Sequence, residues 1–113
     1  HYPSFVLDVK NAISSGLVKE KIDQVKTSQV LILDDIGAEQ SSPWMRDEIL
    51  QVILQHRMQE NLPTFFTSNF SFADLERHFA SSKNGDETWQ AKRVMERIKF
   101  LAQEVRLEGE NRR

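Results

Sequence analysis

Gln29-Val30-Leu31-Ile32-Leu33-Asp34-Asp35 is the segment that most narrows the fold. Four consecutive large apolar residues closed at once by two acids suit a parallel strand covered on both faces. A parallel strand needs helical crossovers beside it, and the flanking residues supply them. Phe5, Val6, Val9, Ala12 and Ile13 recur at helical spacing, with Ser4 as the expected N-cap and Gly16 where the helix should end left-handed. Val18, Ile22 and Val25 mark a second helix, with Lys19, Glu20, Lys21 and Asp23 off the stripe. Ser42-Pro43 is an N-cap and N1 pair for a third. That helix is expected to carry Met45, Ile49, Val52, Ile53 and His56 inward and to run to Glu60.

Asn61-Leu62-Pro63 breaks the pattern, and Thr64-Phe65-Phe66-Thr67-Ser68-Asn69 reads as a second buried strand. A short helix over Phe72–Phe79 follows, then a loop-like stretch over Ser81–Asp86. Glu87 to Ile98 is again helical, with Ala91, Val94, Met95 and Ile98 inward, and Leu101–Leu107 has the makings of a last strand before a polar tail. The alternation predicts an α/β fold of three layers around a mostly parallel sheet. The chain starts abruptly on His1-Tyr2-Pro3, as though a strand had just ended.

Composition limits the chemistry. The 113 residues suit one domain. The only four glycines are Gly16, Gly37, Gly85 and Gly109, too scattered for a phosphate-cradling loop. Without cysteine there is no disulfide framework and no thiolate chemistry, which fits a reducing compartment. The longest apolar run, Val30–Leu33, is far too short to span a bilayer, and no charged-then-apolar leader marks export; a cytoplasmic protein with no membrane partner is the expectation. Residues 1–76 hold six Lys/Arg against eleven Asp/Glu, and residues 77–113 nine against six, so the last third is basic. The net charge of −2 argues against strong non-specific DNA binding, which needs clustered cations.

Four sets of residues have chemical promise. In parallel α/β sheets ligands bind beyond the carboxyl ends of the strands. Asp34 and Asp35 stand at such an end, where two hard carboxylates suit Mg²⁺ shared with nucleotide phosphates and can orient a water; two solvated acids are the plainer alternative. Asn69 ends the other strand and lies beside the acids if the strands are neighbours; otherwise it opens a turn. Arg93 and Arg97 share one helix face and can reach phosphate oxygens within the subunit or across an interface, or else join a salt-bridged surface with Glu87, Glu96 or Glu104. Ser42 and Trp44 follow the acidic pair, where an aromatic ring can stack on an unpaired base or serve as a packing contact. His1, His56 and His78 have no metal-ligand spacing.

Taken in order, Val30-Leu-Ile-Leu-Asp34-Asp35-Ile36-Gly37-Ala38-Glu39, Pro63-Thr-Phe-Phe-Thr67-Ser68-Asn69 and Arg93-Val-Met-Glu-Arg97 resemble the AAA+ ATPase core of bacterial replicative helicase loaders. The likeness is nearest the DnaI-type primosomal loaders of Gram-positive bacteria, with DnaC-type loaders more distant, and it runs over essentially the whole chain. It implies a P-loop NTPase fold whose N-terminal strand and phosphate loop are missing, hence the C-terminal portion of a larger protein. Residues 1–28 would be the initiator-type helices, 29–40 the Walker B segment, 63–69 the sensor 1 strand and 87–98 the arginine-bearing helix.

By the same resemblance, Asp34 would hold Mg²⁺ through water, and Asp35 would stand where most AAA+ proteins carry a catalytic glutamate. Aspartate is one methylene shorter, which implies slower or more tightly regulated hydrolysis. Asn69 would be the sensor 1 residue, Arg97 the arginine finger and Arg93 a phosphate-sensing partner, while Ser42 and Trp44 would lie near single-stranded DNA. ATP and Mg²⁺ are the implied cofactors; a ring helicase, single-stranded DNA and further copies of the protein are the implied partners. Hydrolysis would belong to the intact protein and not to these residues alone. An IstB-type transposition ATPase and a non-hydrolysing binding module remain as alternatives.

Overall fold

The computed structural model describes residues 1–40, 42–82 and 85–102. Helix α1 spans Tyr2–Ala12 and α2 Val18–Lys26; strand β1 is Leu31–Leu33. A π-helical segment, Met45–Leu50, runs into α3, Gln51–Gln59. Strand β2 (Thr64–Phe66) and α4 (Phe72–Ala80) follow, then the short β3 (Ser81–Ser82) and β4 (Gly85–Asp86), and α5, Thr88–Leu101.

β1 and β2 pair in parallel, with Leu31 opposite Thr64, Ile32 opposite Phe65 and Leu33 opposite Phe66. The α/β architecture is therefore as expected, as a two-stranded piece of the sheet. Coverage of both strand faces is not. Leu33 and Thr64 face the core, while Val30, Ile32 and Phe65 are 58%, 57% and 56% exposed. Side chains alternate across a strand, so Ile32 and its partner Phe65 share the outer face, and there the described residues leave them open. Of the strand expected over Leu101–Leu107, Leu101 closes α5 instead, Ala102 caps it, and residues 103–107 lie outside the described part. The Ser81–Asp86 stretch contains a two-rung antiparallel ladder where a loop was expected.

The helices form where the apolar stripes predicted, with shifted ends. α1 begins two residues ahead of Ser4: the His1 imidazole accepts from the Ser4 N–H and takes the cap, and Pro3 is tolerated in the first turn. Gly16 has φ +75°, the left-handed conformation expected after α1. Ser42 caps the third helical segment by accepting from Met45 N–H at 3.1 Å. There the inward stripe departs from expectation: Met45, Ile49 and Ile53 are buried, but Val52 is exposed and His56 only half-buried. The buried positions advance by four instead, as Met45, Ile49, Ile53 and Arg57, with Arg46, Leu50 and Leu54 beside them. The wider π turn accommodates more residues than the 3.6 of an α-helix, so the core-facing positions drift along the sequence.

That drift brings two arginines into the interior. Arg57 is fully buried: Nε donates to Thr64 Oγ1 at 2.7 Å, Nη2 to Pro63 O at 2.7 Å, and Nη1 to Ser28 O at 2.7 Å, Lys26 O at 3.1 Å and Val25 O at 3.3 Å. It thus ties the carbonyl end of α2, the approach to β1 and the start of β2 into one knot. Burial pulls its guanidinium below the ordinary arginine range. Arg46 donates to both Asp47 oxygens, to Glu87 Oε1 at 2.6 Å and to Phe79 O at 2.8 Å, pinning the α4–α5 connection to the π-helical segment. Its hydrogen bonds to Asp47 first, then to Glu87, hold its pKa above the ordinary value against the opposing effect of burial.

Candidate active site

Parallel pairing sets the carboxyl ends of β1 and β2 side by side. Thr67 N–H donates to Leu33 O at 3.2 Å, and Ile36 N–H to Thr67 O at 2.9 Å, extending the ladder past the strands. The Thr67 hydroxyl then has two tasks. It donates to Asp34 Oδ1 at 2.5 Å and accepts from Asp35 N–H at 2.8 Å. One carboxylate oxygen of Asp34 is thereby oriented while the side chain stays exposed. Asp35 adopts φ +64°, which turns the chain sharply after the strand. Its Oδ2 lies 3.5 Å from His1 Nε2, and Tyr2 N–H donates to Asp34 O at 2.8 Å, so the start of α1 abuts the strand end.

The turn after Asp35 is tightly held. Gly37 has φ +105° and donates its N–H to Glu39 Oε1 at 2.8 Å, while Glu39 Oε2 lies 3.0 Å from His78 Nε2 on α4. Phe70 and Phe79 flank the His78 ring at centroid distances of 6.0 Å and 5.3 Å. Burial raises the pKa of the Tyr2 phenol, and the nearby Glu39 carboxylate adds to the rise. Ser68 Oγ donates to Ile36 O at 2.6 Å and accepts from Phe70 N–H at 3.1 Å. Between these bonds lies a cleft of about 60 Å³ lined by Asp35, Ile36, Gly37, Ala38, Ser68, Asn69 and Phe70. Asp35 and Asn69 are therefore neighbours, as adjacent strand ends require.

Sequence alone gives Thr67 no individual role; its place two residues before Asn69, just past the end of β2, is the one local feature that points to it. Replacing it with valine is expected to cost about 0.5–1.5 kcal/mol in urea unfolding, and Thr67→Ser to recover most of it, because the hydroxyl and not the methyl orients Asp34 and Asp35. Equal stability of the valine variant and the native chain would show that the hydroxyl is dispensable. Glu39 and His78 are separated by 39 positions, and no local pattern could have paired them.

Arg93 and Arg97 sit elsewhere. They line a groove of about 560 Å³ between α3 and α5, with Lys26, Asp47, Gln55 and His56 among its other walls, and no residue of this groove belongs to the Asp35–Asn69 cleft. Arg97 Nε donates to Gln55 Oε1 at 2.8 Å and Nη1 to Arg93 O at 3.2 Å. The Arg93 guanidinium lies 4.9 Å from the centroid of the exposed Trp89 ring. Glu87, one of the acids expected beside them, pairs with Arg46 instead. The arginine pair is therefore separate from the acidic strand end of its own chain. Ser42 commits its hydroxyl to the helix cap, and Trp44 leaves 41% of its surface open; neither lines the cleft.

Among the described residues no three His, Asp or Glu side chains converge as a protein-only metal cage. Two adjacent carboxylates, one with an oxygen already oriented by Thr67, do suit a hard cation that takes most of its shell from water and phosphate, which is the coordination Mg²⁺ favours.

Comparison with known proteins decides the family. The model for the family described as IstB-like ATP binding protein matches residues 2–113. The chain belongs to that family. It is 51% identical over 114 aligned positions to the replicative helicase loader DnaI of Bacillus subtilis (strain 168), a match covering all of this chain and 37% of that protein. A crystal structure of DnaI superposes with a TM-score of 0.67 at 50% identity, over 75% of this chain and 43% of the other. A candidate primosome component from Streptococcus pyogenes serotype M3 superposes with a TM-score of 0.71 at 63% identity, over all of this chain and 52% of that one. The P-loop NTPase-type fold and the helicase-loader resemblance are thus borne out, and the IstB-like chain spans about half or less of these relatives.

Proposed function

We propose that this IstB-like chain is the responding part of an ATP-driven loader, which places a ring-shaped replicative helicase on single-stranded DNA during primosome assembly in the cytoplasm. The observation that carries the reading is the joined strand end, where Thr67 binds Asp34 and Asp35 together and Asn69 shares a cleft with Asp35. The likeness to DnaI supports the choice of biology.

In this reading Asp34, oriented by Thr67, would hold Mg²⁺ through water, and the ion would supply neutralising charge for the nucleotide phosphates. Asp35 orients the attacking water and accepts its proton. Asn69, on the same cleft, donates to the terminal phosphate or that water. Arg97, aided by Arg93, lies away from this cleft, which supports a role at the nucleotide of a neighbouring copy. Ser42 and Trp44, on the helix that follows the acidic turn, face the DNA strand, with Trp44 supplying an exposed ring for stacking.

The full-length protein, assayed with helicase and single-stranded DNA, tests this. Asp34→Ala and Arg97→Ala are each expected to lower ATP turnover by about tenfold or more, with the fold retained. Normal turnover in both variants would remove the hydrolytic assignment. The matching family description also favours a second reading, a transposition ATPase of the IstB type. Co-purification with a transposase rather than a ring helicase would select it.

A further inference from the structure

The α3–α5 groove contains an arrangement that the hydrolytic reading alone does not require. Arg97 extends from α5 toward α3, and its guanidinium is gripped at two points, by the Gln55 amide oxygen at Nε and by the Arg93 carbonyl at Nη1. Nη2 takes no partner among the described residues. A free arginine side chain samples many rotamers, and freezing it against a phosphate costs conformational entropy at the moment of use. An arginine already held by its Nε edge keeps its remaining N–H donors in a fixed plane.

The identity of the acceptor matters. A carboxylate would hold the guanidinium more strongly but would also neutralise the charge that makes it useful to a phosphate. The Gln55 amide orients without neutralising. Gln55 is also part of the helical run that starts at the Ser42 cap just beyond the acidic turn, and Arg57, two residues on, anchors that run in the core. The acceptor therefore stands on a rigid support.

We propose that Gln55 is a positioning residue for Arg97, presetting its guanidinium for the phosphate of a neighbouring copy's nucleotide. This rests on the reading of Arg97 as a trans-acting arginine. In this arrangement Gln55 acts through Arg97, whose Nε it holds from the groove wall.

The test is a double-mutant cycle in the full-length protein with helicase and single-stranded DNA, reading ATP turnover. Gln55→Ala is expected to lower kcat about three- to tenfold while KM for ATP moves less than about twofold. In an Arg97→Ala background the same change should have no further effect. Gln55→Glu, which keeps the oxygen acceptor but adds a charge, should lower kcat at least as much as alanine. The thermal midpoint of Gln55→Ala should match the native protein, separating positioning from folding. Equal fold-losses from Gln55→Ala in both backgrounds, or full activity of Gln55→Ala where Arg97→Ala is impaired, would overturn the inference and leave the arginine reading intact. Normal turnover of Arg97→Ala would overturn the arginine reading, and the inference with it.

Discussion

Replacing Arg57 with methionine is expected to lower folding stability by about 2–4 kcal/mol, read as a shift of the urea unfolding midpoint. The methionine stem would fill much of the space, so the loss comes from polar groups. Thr64 Oγ1 and the carbonyls of Pro63, Val25, Lys26 and Ser28 all accept from this one guanidinium. Val25 O also accepts from Ser28 N–H, at 3.4 Å, but Lys26 and Ser28 stand at or just past the end of α2, where the last turn of a helix leaves carbonyls without backbone donors. Arg57→Lys should recover little, because an ammonium cannot match the fork that reaches Thr64, Pro63 and Ser28 at once. A midpoint shift equivalent to less than about 0.5 kcal/mol for the methionine variant would mean that water replaces the arginine at no cost.

Gly37→Ala is expected to cost about 2–4 kcal/mol and to disturb the cleft as well. Two effects add. At φ +105° a non-glycine residue is strained whatever its surroundings. The added Cβ would also lie 2.6 Å from Phe70 Cδ2, 2.9 Å from Phe70 Cε2 and 3.0 Å from Leu75 Cδ1. The Phe70 ring is partly exposed and can retreat, but it packs against His78 and borders the cleft that holds Asp35 and Asn69. Relief of the clash therefore comes at the expense of the site. In the full-length protein, ATP turnover should fall together with the unfolding midpoint; a variant with both unchanged would show that the turn adapts freely. Gly16→Ala is the useful contrast, since no atom lies within 4 Å of its added Cβ and only the φ of +75° opposes it.

Much of this organisation is legible in the residues alone. Val30–Leu33 and Thr64–Phe66 declare themselves by apolar, β-branched and aromatic character, and once they pair in parallel, Asp35 and Asn69 become neighbours by geometry. The stripes of α1, α2 and α5 are equally readable, because 3.6-residue periodicity is local information. The third helical segment is misread at Val52 and His56 because a π turn changes that period midway, and no propensity marks where a helix widens. The open face of Val30, Ile32 and Phe65 shows the same limit in the sheet: an apolar run states that a face should be covered, not what covers it.

By itself, then, the sequence determined the two principal strands and the main helices, that acids end one strand and an amide the other, and that two arginines share a helix face. Those are consequences of side-chain spacing and of the backbone's two periodicities. That the two strand ends are adjacent came from the parallel pairing. Only the tertiary structure decided that Thr67 binds the two aspartates together and that Arg46 and Arg57 are buried among distant carbonyls and acids. It alone joined Glu39 to His78 and gave Arg97 an acceptor in Gln55. Each of these includes at least one bond between residues some thirty or more positions apart, such as Arg46 to Phe79 O and Glu87 and Arg57 to Val25 O and Lys26 O, and its existence depends on how helices and strands pack, which no local pattern encodes.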